Sequence, residues 1–323
     1  MRPWLRWTLA VFALLAVIWV VAPRAPVDTE ISFDPTTIGL DVDAYLAQGE
    51  QQFSDIVPGT EKQVIWAGEP GTKTPLAVIY VHGYSAAAPE IAPVPQQVAR
   101  ALGANLYFTR LSGHGRSEDA MAEPTAGDWL EDMAETMAIA ERIGERSLIL
   151  ATSTGATLAT SMAAAHPEVM SQVEGMVFVA PNFAVNSRAA FLLRAPFVRH
   201  WLPLVLGERR GFTPINEAQA RYWTERYPVT ALLPMAALVH HARTLDHARI
   251  PIPVLFYFSD EDQVVSPVAA RRVAADWGGP VTIINPELTA ADDPWSHVIA
   301  GDIVSPGQTE AAVAAILDWA KGL

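Results

Sequence analysis

The sequence predicts an α/β fold, a mostly parallel central sheet with helices on both faces. Three observations carry that expectation. Short apolar runs of strand type alternate with longer stretches of helical periodicity. One junction, Leu148-Ile149-Leu150-Ala151-Thr152-Ser153-Thr154-Gly155, passes from strand pattern to helix pattern through a serine set among small residues. Between Phe183 and Ile250 the alternation stops, and only apolar and aromatic helical stretches remain.

Taken in order, Val42 to Phe53 reads as a short helix and Gln63 to Ala67 as an edge strand. Leu76 to Val81 is a continuous apolar run, as a strand buried on both faces requires. A helix from about Ile91 to Leu102, a strand over Asn105 to Thr109 and a helix over Thr125 to Ile143 follow. Ser147 to Thr152 is the strand before Ser153, and Ala156, Leu158, Ala159, Met162 and Ala163 give its helix a buried face as far as His166. Val177 to Ala180, Val254 to Phe258 and Val281 to Ile284 are the remaining strands, and Gln308 to Ala320 is the last helix. The region 185–247 reads as a helical cap over the carboxyl ends of the strands, where open α/β sheets bind ligands. The chain thus divides into an N-terminal segment (1–24), a linker with a short helix (25–60), a core (61–184 and 248–323) and the inserted cap.

Composition narrows the function classes. The chain has 323 residues, half of them hydrophobic, which is enough for one large domain with an insertion. Its formal charge of −13, from 22 basic and 35 acidic residues, lacks the basic footprint of a nucleic-acid binder. With no cysteine, disulfides, thiolate metal ligands and a cysteine nucleophile are all excluded. Histidines 240, 241 and 247 cluster in the cap, but no His-Glu-x-x-His spacing accompanies them, so no metal or cofactor is expected.

At the N-terminus, Trp7 to Ala22 carries no charge and follows Arg2 and Arg6. The stretch reads as an uncleaved signal-anchor helix, with the acidic linker and main domain on the extracytoplasmic side. Secretion after signal-peptide cleavage is the alternative.

The junction at Ser153 has the form of a nucleophile elbow, a strained strand-to-helix turn that lifts a serine hydroxyl clear of the sheet. As a bare pattern it also fits Ser85 and Ser161, so the pattern does not decide between a nucleophile and a structural turn. Chain order adds to it. A serine nucleophile needs a base and the base needs an orienting carboxylate, and behind an elbow these follow in the order Ser, Asp or Glu, His. Asp262 lies just after the strand Val254–Phe258, and His297 just after the strand Val281–Ile284. His297 is the one histidine beyond Asp262. Backbone N–H groups of Thr154 and of Tyr84, in the turn His82-Gly83-Tyr84-Ser85, are placed to serve as an oxyanion hole.

With those residues in hand, the chain resembles the α/β-hydrolases, and within them the serine aminopeptidase S33-like (hydrolase-4) group that includes monoacylglycerol lipases and small carboxylesterases. The resemblance runs from about Leu76 to Trp319 and rests on His82-Gly83, Gly113-His114-Gly115-Arg116-Ser117, Ser153, Asp262 in Ser-x-x-Asp-x-Val-Val, and Ser296-His297. Ala151 and Ser259 stand where the family pattern has glycine. The resemblance implies cofactor-free hydrolysis of an ester, thioester or amide through an acyl-enzyme on Ser153. The expected substrate is a carboxylic ester, monoacylglycerol-like or another acyl lipid. Aminopeptidase chemistry is the rival, with Glu208, Glu217 or Glu225 of the cap as partners for a substrate amine. A non-catalytic binding protein on the same fold is the more distant alternative.

Overall fold

The computed structural model describes residues 3–22 and 27–323. In chain order the strands are β1 (Gln63–Ile65), β2 (Thr74–Val81), β3 (Asn105–Phe108), β4 (Gly144–Thr152), β5 (Val173–Val179), β6 (Arg209–Gly211), β7 (Arg226–Pro228), β8 (Val254–Tyr257) and β9 (Val281–Ile284). The helices are α1 (Pro3–Val21), α2 (Val42–Glu50), α3 (Val94–Leu102), α4 (Ala126–Ile143), α5 (Thr154–Ala165), α6 (Val198–Leu206), α7 (Glu217–Tyr222), α8 (Leu232–Thr244), α9 (Pro267–Ala275) and α10 (Thr309–Ala320).

Seven strands form one sheet in the order β1-β3-β2-β4-β5-β8-β9. Every neighbouring pair is parallel except β1 with β3. The apolar runs are continuous because these strands are covered on both sides. Along β4, Ile149 and Ala151 enter the apolar layer shared with α4, α5 and α8, while Leu148 and Leu150 enter the opposite layer with α3 and α10. The long helix α4 starts where Thr125 Oγ1 accepts the Asp128 N–H and Asp128 accepts the Thr125 N–H, a reciprocal cap for two otherwise unpaired donors.

On the outer face, α2 is clamped by charge. Arg110 is only 3% exposed and donates through Nε and Nη2 to the two carboxylate oxygens of Glu50, both at 2.8 Å. Nearby, Lys62 pairs with Glu135. Removing one partner of such a buried pair leaves the other charge uncompensated. Glu50→Ala is therefore expected to lower the unfolding free energy by about 3 kcal/mol in urea titrations. The exposed Glu69→Ala control is expected to change it by less than about 0.5 kcal/mol.

Several boundaries differ from the sequence expectation. The first helix of the body stops at Glu50 instead of Phe53, β4 begins at Gly144 instead of Ser147, and β5 begins at Val173 instead of Val177. In β5 the early residues include Glu174 and Gly175, which interrupt the apolar pattern although both lie in the strand. The stretch expected to be purely helical contains a two-stranded antiparallel ribbon, Arg209–Gly211 with Arg226–Pro228. Its three-residue strands, half of them arginine, carry no alternation to recognise. The expected linker is fixed to the body from Val27 onward. Ser32 and Phe33 donate their N–H groups to Glu131, and the Thr29 carbonyl accepts from His166 Nε2 at 2.6 Å.

The membrane-spanning reading of residues 1–24 is corrected. No helix among the described residues is long and apolar enough to cross a membrane. The helix α1 does form, but Arg6 stands in its first turns. The uncharged helical part, Trp7 to Val21, reaches about 22 Å at about 1.5 Å per residue, short of a hydrocarbon core of about 30 Å. Residues 1, 2, 23 and 24 of that segment lie outside the described residues.

Candidate active site

Ser153 sits between the end of β4 and the start of α5 with φ 50° and ψ −112°, a strained conformation for a residue with a side chain. Its own backbone holds it there. The Ser153 N–H donates to the Val179 carbonyl at 2.9 Å, and its carbonyl accepts from Ala156 and Asn182. Gly155 is required by close approach, since a Cβ there would lie 2.4 Å from the Val81 carbonyl oxygen. Ala151, which replaces the family glycine, is fully buried in the core, where its methyl group fits.

The structure brings Ser153, His297 and Asp262 together. His297 Nε2 is 3.2 Å from Ser153 Oγ, and His297 Nδ1 is 2.7 Å from Asp262 Oδ2. The other oxygen of Asp262 accepts the N–H groups of Val264 and Val265 at 2.8 and 2.9 Å, which turns the carboxylate toward the imidazole. Burial opposes charge on His297, yet the Asp262 carboxylate, seconded by Glu90 and Asp293, holds its pKa above the ordinary histidine value. Ser153 is 5% exposed and Asp262 4% exposed, so this hydrogen-bonded chain is largely shielded from solvent.

Two further residues position the chain, and the sequence pattern does not single them out. Asp293 accepts the N–H groups of Trp295, His297 and Val298, fixing the loop that presents the imidazole, with Ser296 at φ 54°. Asn186, at the root of the cap, donates to the Asp262 carbonyl at 3.2 Å. An acid beside another acid, as in Asp292-Asp293, gives no local signal of this role.

The second expected donor lies in the turn after β2. Tyr84 N–H and Thr154 N–H have no acceptor among the described residues, and Thr154 is the first residue of α5, where the helix dipole favours negative charge. His82 accepts the Leu111 N–H at Nε2 (3.1 Å), so its proton is on Nδ1 and is donated to the Gly83 carbonyl at 2.9 Å. Burial, with the Arg110 charge, pulls the His82 pKa down to about 4, so it stays neutral. Because the peptide is planar and trans, fixing the Gly83 carbonyl toward His82 turns the Tyr84 N–H the opposite way. The Tyr84 ring packs edge-on against His114, Trp129 and Tyr227, the last from the cap.

Other sequence candidates fall elsewhere. Ser85 has φ 62° and uses its carbonyl to accept the Thr224 N–H, tying the cap to this turn. Ser161 is buried in α5 and donates to the Thr157 carbonyl. His114 is buried and fixes the Gly113–Gly115 turn through the Ser112 carbonyl. His247 stacks on Trp277 at 6.4 Å between centroids. Glu208, Glu217 and Glu225 are all exposed to solvent, and none bonds to the Ser153 cluster.

A mostly parallel sheet in this strand order, crossed by a strained serine turn at the end of a central strand, is the α/β-hydrolase fold, and the chain is a serine hydrolase built on it. Residues 72–282 match the family described as Serine aminopeptidase, S33 (Hydrolase_4), and the chain belongs to that family. It is 26% identical over 194 residues to a thermostable monoacylglycerol lipase of Bacillus sp. (strain H-257), covering 60% of this chain and 73% of that one. Among solved structures it is similar to one reported with LipS and LipT, two metagenome-derived lipolytic enzymes (TM-score 0.68, 20% identity, 83% of this chain and 100% of that one). It is also similar to the monoacylglycerol lipase of Paleococcus ferrophilus (TM-score 0.58, 14% identity, 80% and 96%).

Proposed function

We propose that the protein hydrolyses carboxylic esters of monoacylglycerol type through an acyl-enzyme on Ser153. The observation that carries this reading is the hydrogen-bonded chain from Ser153 Oγ through His297 to Asp262, at 3.2 and 2.7 Å. In the first half-reaction Ser153 Oγ attacks the ester carbonyl while His297 Nε2 takes the hydroxyl proton. Asp262 stabilises the imidazolium and keeps the ring in the tautomer that accepts at Nε2. The tetrahedral oxygen receives the Tyr84 and Thr154 N–H groups. Collapse expels the alcohol, which leaves with the proton from His297. Water then repeats the sequence on the acyl-enzyme, releasing the carboxylic acid and restoring Ser153. Every proton is returned, and no cofactor takes part.

The lipid preference draws on the Bacillus relative and on the apolar cap above the site. The cap exposes Phe191, Phe197, Leu204 and Val205. Stoichiometric labelling of Ser153 by a fluorophosphonate, with matching loss of hydrolysis of p-nitrophenyl butyrate and of a monoacylglycerol, is the expected result. A folded protein that takes no label sinks the proposal. Faster turnover of aminoacyl amides than of acyl esters transfers it to the aminopeptidase reading.

A further inference from the structure

Glu90 is a carboxyl group in the interior that neither gives nor takes a proton in the steps above. It lies in a one-turn 3-10 helix, Ala88–Ile91, in an alanine- and proline-rich stretch where an acid would ordinarily face water. Instead it is 3% exposed. Its Oε2 accepts the Gly83 N–H at 2.7 Å and the Tyr80 hydroxyl at 2.9 Å. Tyr80 is in turn 3.1 Å from the hydroxyl of Thr152, the residue before Ser153. The other oxygen, Oε1, and the Ser153 Cβ flank one point. A Cβ built on Gly83 would be 2.7 Å from the first and 3.2 Å from the second. The carboxyl group, the glycine and the serine are packed together with no room for a side chain between them.

Resting on the reading of Ser153, Tyr84 and Thr154 given above, we propose that Glu90 is a positioning residue for the oxyanion hole. The two peptides on either side of Gly83 are each held by a different group. His82 holds the Gly83–Tyr84 peptide by its carbonyl, and Glu90 holds the His82–Gly83 peptide by its N–H. Fixing both planes leaves the Tyr84 N–H one direction. Such preorganisation is what gives a backbone donor its effect on a developing oxyanion, since no reorientation accompanies the reaction.

The position also joins Glu90 to the base. Burial raises its pKa to about 7, against the lowering effect of the Gly83 and Tyr80 hydrogen bonds and the His297 charge. The groups that face it are the Tyr80 hydroxyl from β2, the Gly83 N–H from the turn and His297 from the loop after β9. Thr152 of β4 reaches it through Tyr80. His297 is faced in turn by Asp262 and Asp293. When ionised, Glu90 adds a third negative charge around the imidazole.

The test compares Glu90→Leu with Glu90→Gln, with Ser153→Ala in parallel. Leucine removes the acceptor, and kcat is expected to fall about 10- to 100-fold, somewhat less than deletion of an oxyanion donor, with KM nearly unchanged. Affinity for a phenylboronic acid, which becomes tetrahedral on the serine, falls in step with kcat. Glutamine keeps a carbonyl for Gly83 N–H and recovers most of kcat. It also lacks the charge beside His297, so the acid limb of kcat/KM moves to lower pH. Wild-type kcat in Glu90→Leu overturns the proposal, as does a glutamine variant as impaired as the leucine one. If the leucine variant does not fold, Glu90→Met takes its place, and wild-type kcat and boronic acid affinity in that variant overturn the proposal. Activity that survives Ser153→Ala indicts the underlying reading instead. Loss there, with full activity in Glu90→Leu, leaves that reading standing and removes this one.

Discussion

Ser153→Ala is expected to lower kcat on p-nitrophenyl esters by about 10⁴- to 10⁶-fold while leaving KM within a small factor. On the proposed mechanism the substitution removes the attacking atom but nothing that shapes the site. The elbow is held by backbone bonds, from Ser153 N–H to Val179 and from Ala156 and Asn182 to the Ser153 carbonyl, and alanine keeps them all. What disappears is the hydrogen bond between the serine hydroxyl and His297 Nε2, at 3.2 Å. The melting temperature should therefore stay near that of the wild type, which separates loss of chemistry from loss of fold. On the same mechanism, residual turnover is expected from binding and from the Tyr84 and Thr154 N–H groups when water attacks directly. Ser161→Ala is the matched control. That serine satisfies the same loose pattern, but its hydroxyl donates to the Thr157 carbonyl within α5, about two turns along the helix from Ser153. Its removal should leave kcat unchanged. A Ser153→Ala protein with more than about a hundredth of wild-type kcat, free of contaminating hydrolase, would exclude a nucleophilic Ser153.

The sequence is legible wherever local pattern determines structure. The run Leu148–Ala151 is buried on both faces, so apolar side chains fill it until the elbow, and the change to helical spacing marks the turn itself. Asp262 and His297 are identifiable because strand ends in a parallel sheet converge on one edge. At that edge Asp262 and His297 lie 2.7 Å apart. Glu90 and Asp293 are not legible, because an acid's burial depends on partners distant in the chain or on the course of a loop. Nothing in Ala88-Pro89-Glu90 announces the Tyr80 hydroxyl, and nothing in Asp292-Asp293-Pro294 announces three N–H groups turning back upon one carboxylate. The arginine-rich ribbon β6–β7 is hidden for a related reason. With three residues per strand, its existence rests on pairing and not on periodicity. At the N-terminus the discrepancy is one of length. The apolar composition suggests a span, whereas the uncharged helical part falls short of the hydrocarbon thickness.

Asp262→Asn tests the remaining link, and its consequence is a change of tautomer more than of shape. An asparagine can keep its oxygen toward the Val264 and Val265 N–H groups, which now hold Asp262 at 2.8 and 2.9 Å. Its amide NH₂ then faces His297 Nδ1, which must accept. The imidazole proton moves to Nε2, where it donates to Ser153 Oγ and can no longer receive the hydroxyl proton. A fall in kcat of about 10⁴-fold is expected, as when the same atom is lost from other Ser-His-Asp sites. The pH dependence supplies a second sign. In the wild type Asp262 helps hold the His297 pKa above its ordinary value, so the acid limb of kcat/KM should lie above about pH 6.5. Without that carboxylate the limb should move down even as the plateau collapses. Stability follows the same linkage. A histidine whose folded pKa is raised stabilises the fold fully below its unfolded pKa and loses that increment as pH rises through the folded value. The wild type should therefore lose unfolding free energy from about pH 6.5 up through that raised pKa, by more than Asp262→Asn does. An acid limb and a stability profile that both ignore the substitution would mean that the Asp262–His297 bond does not set the charge of the base.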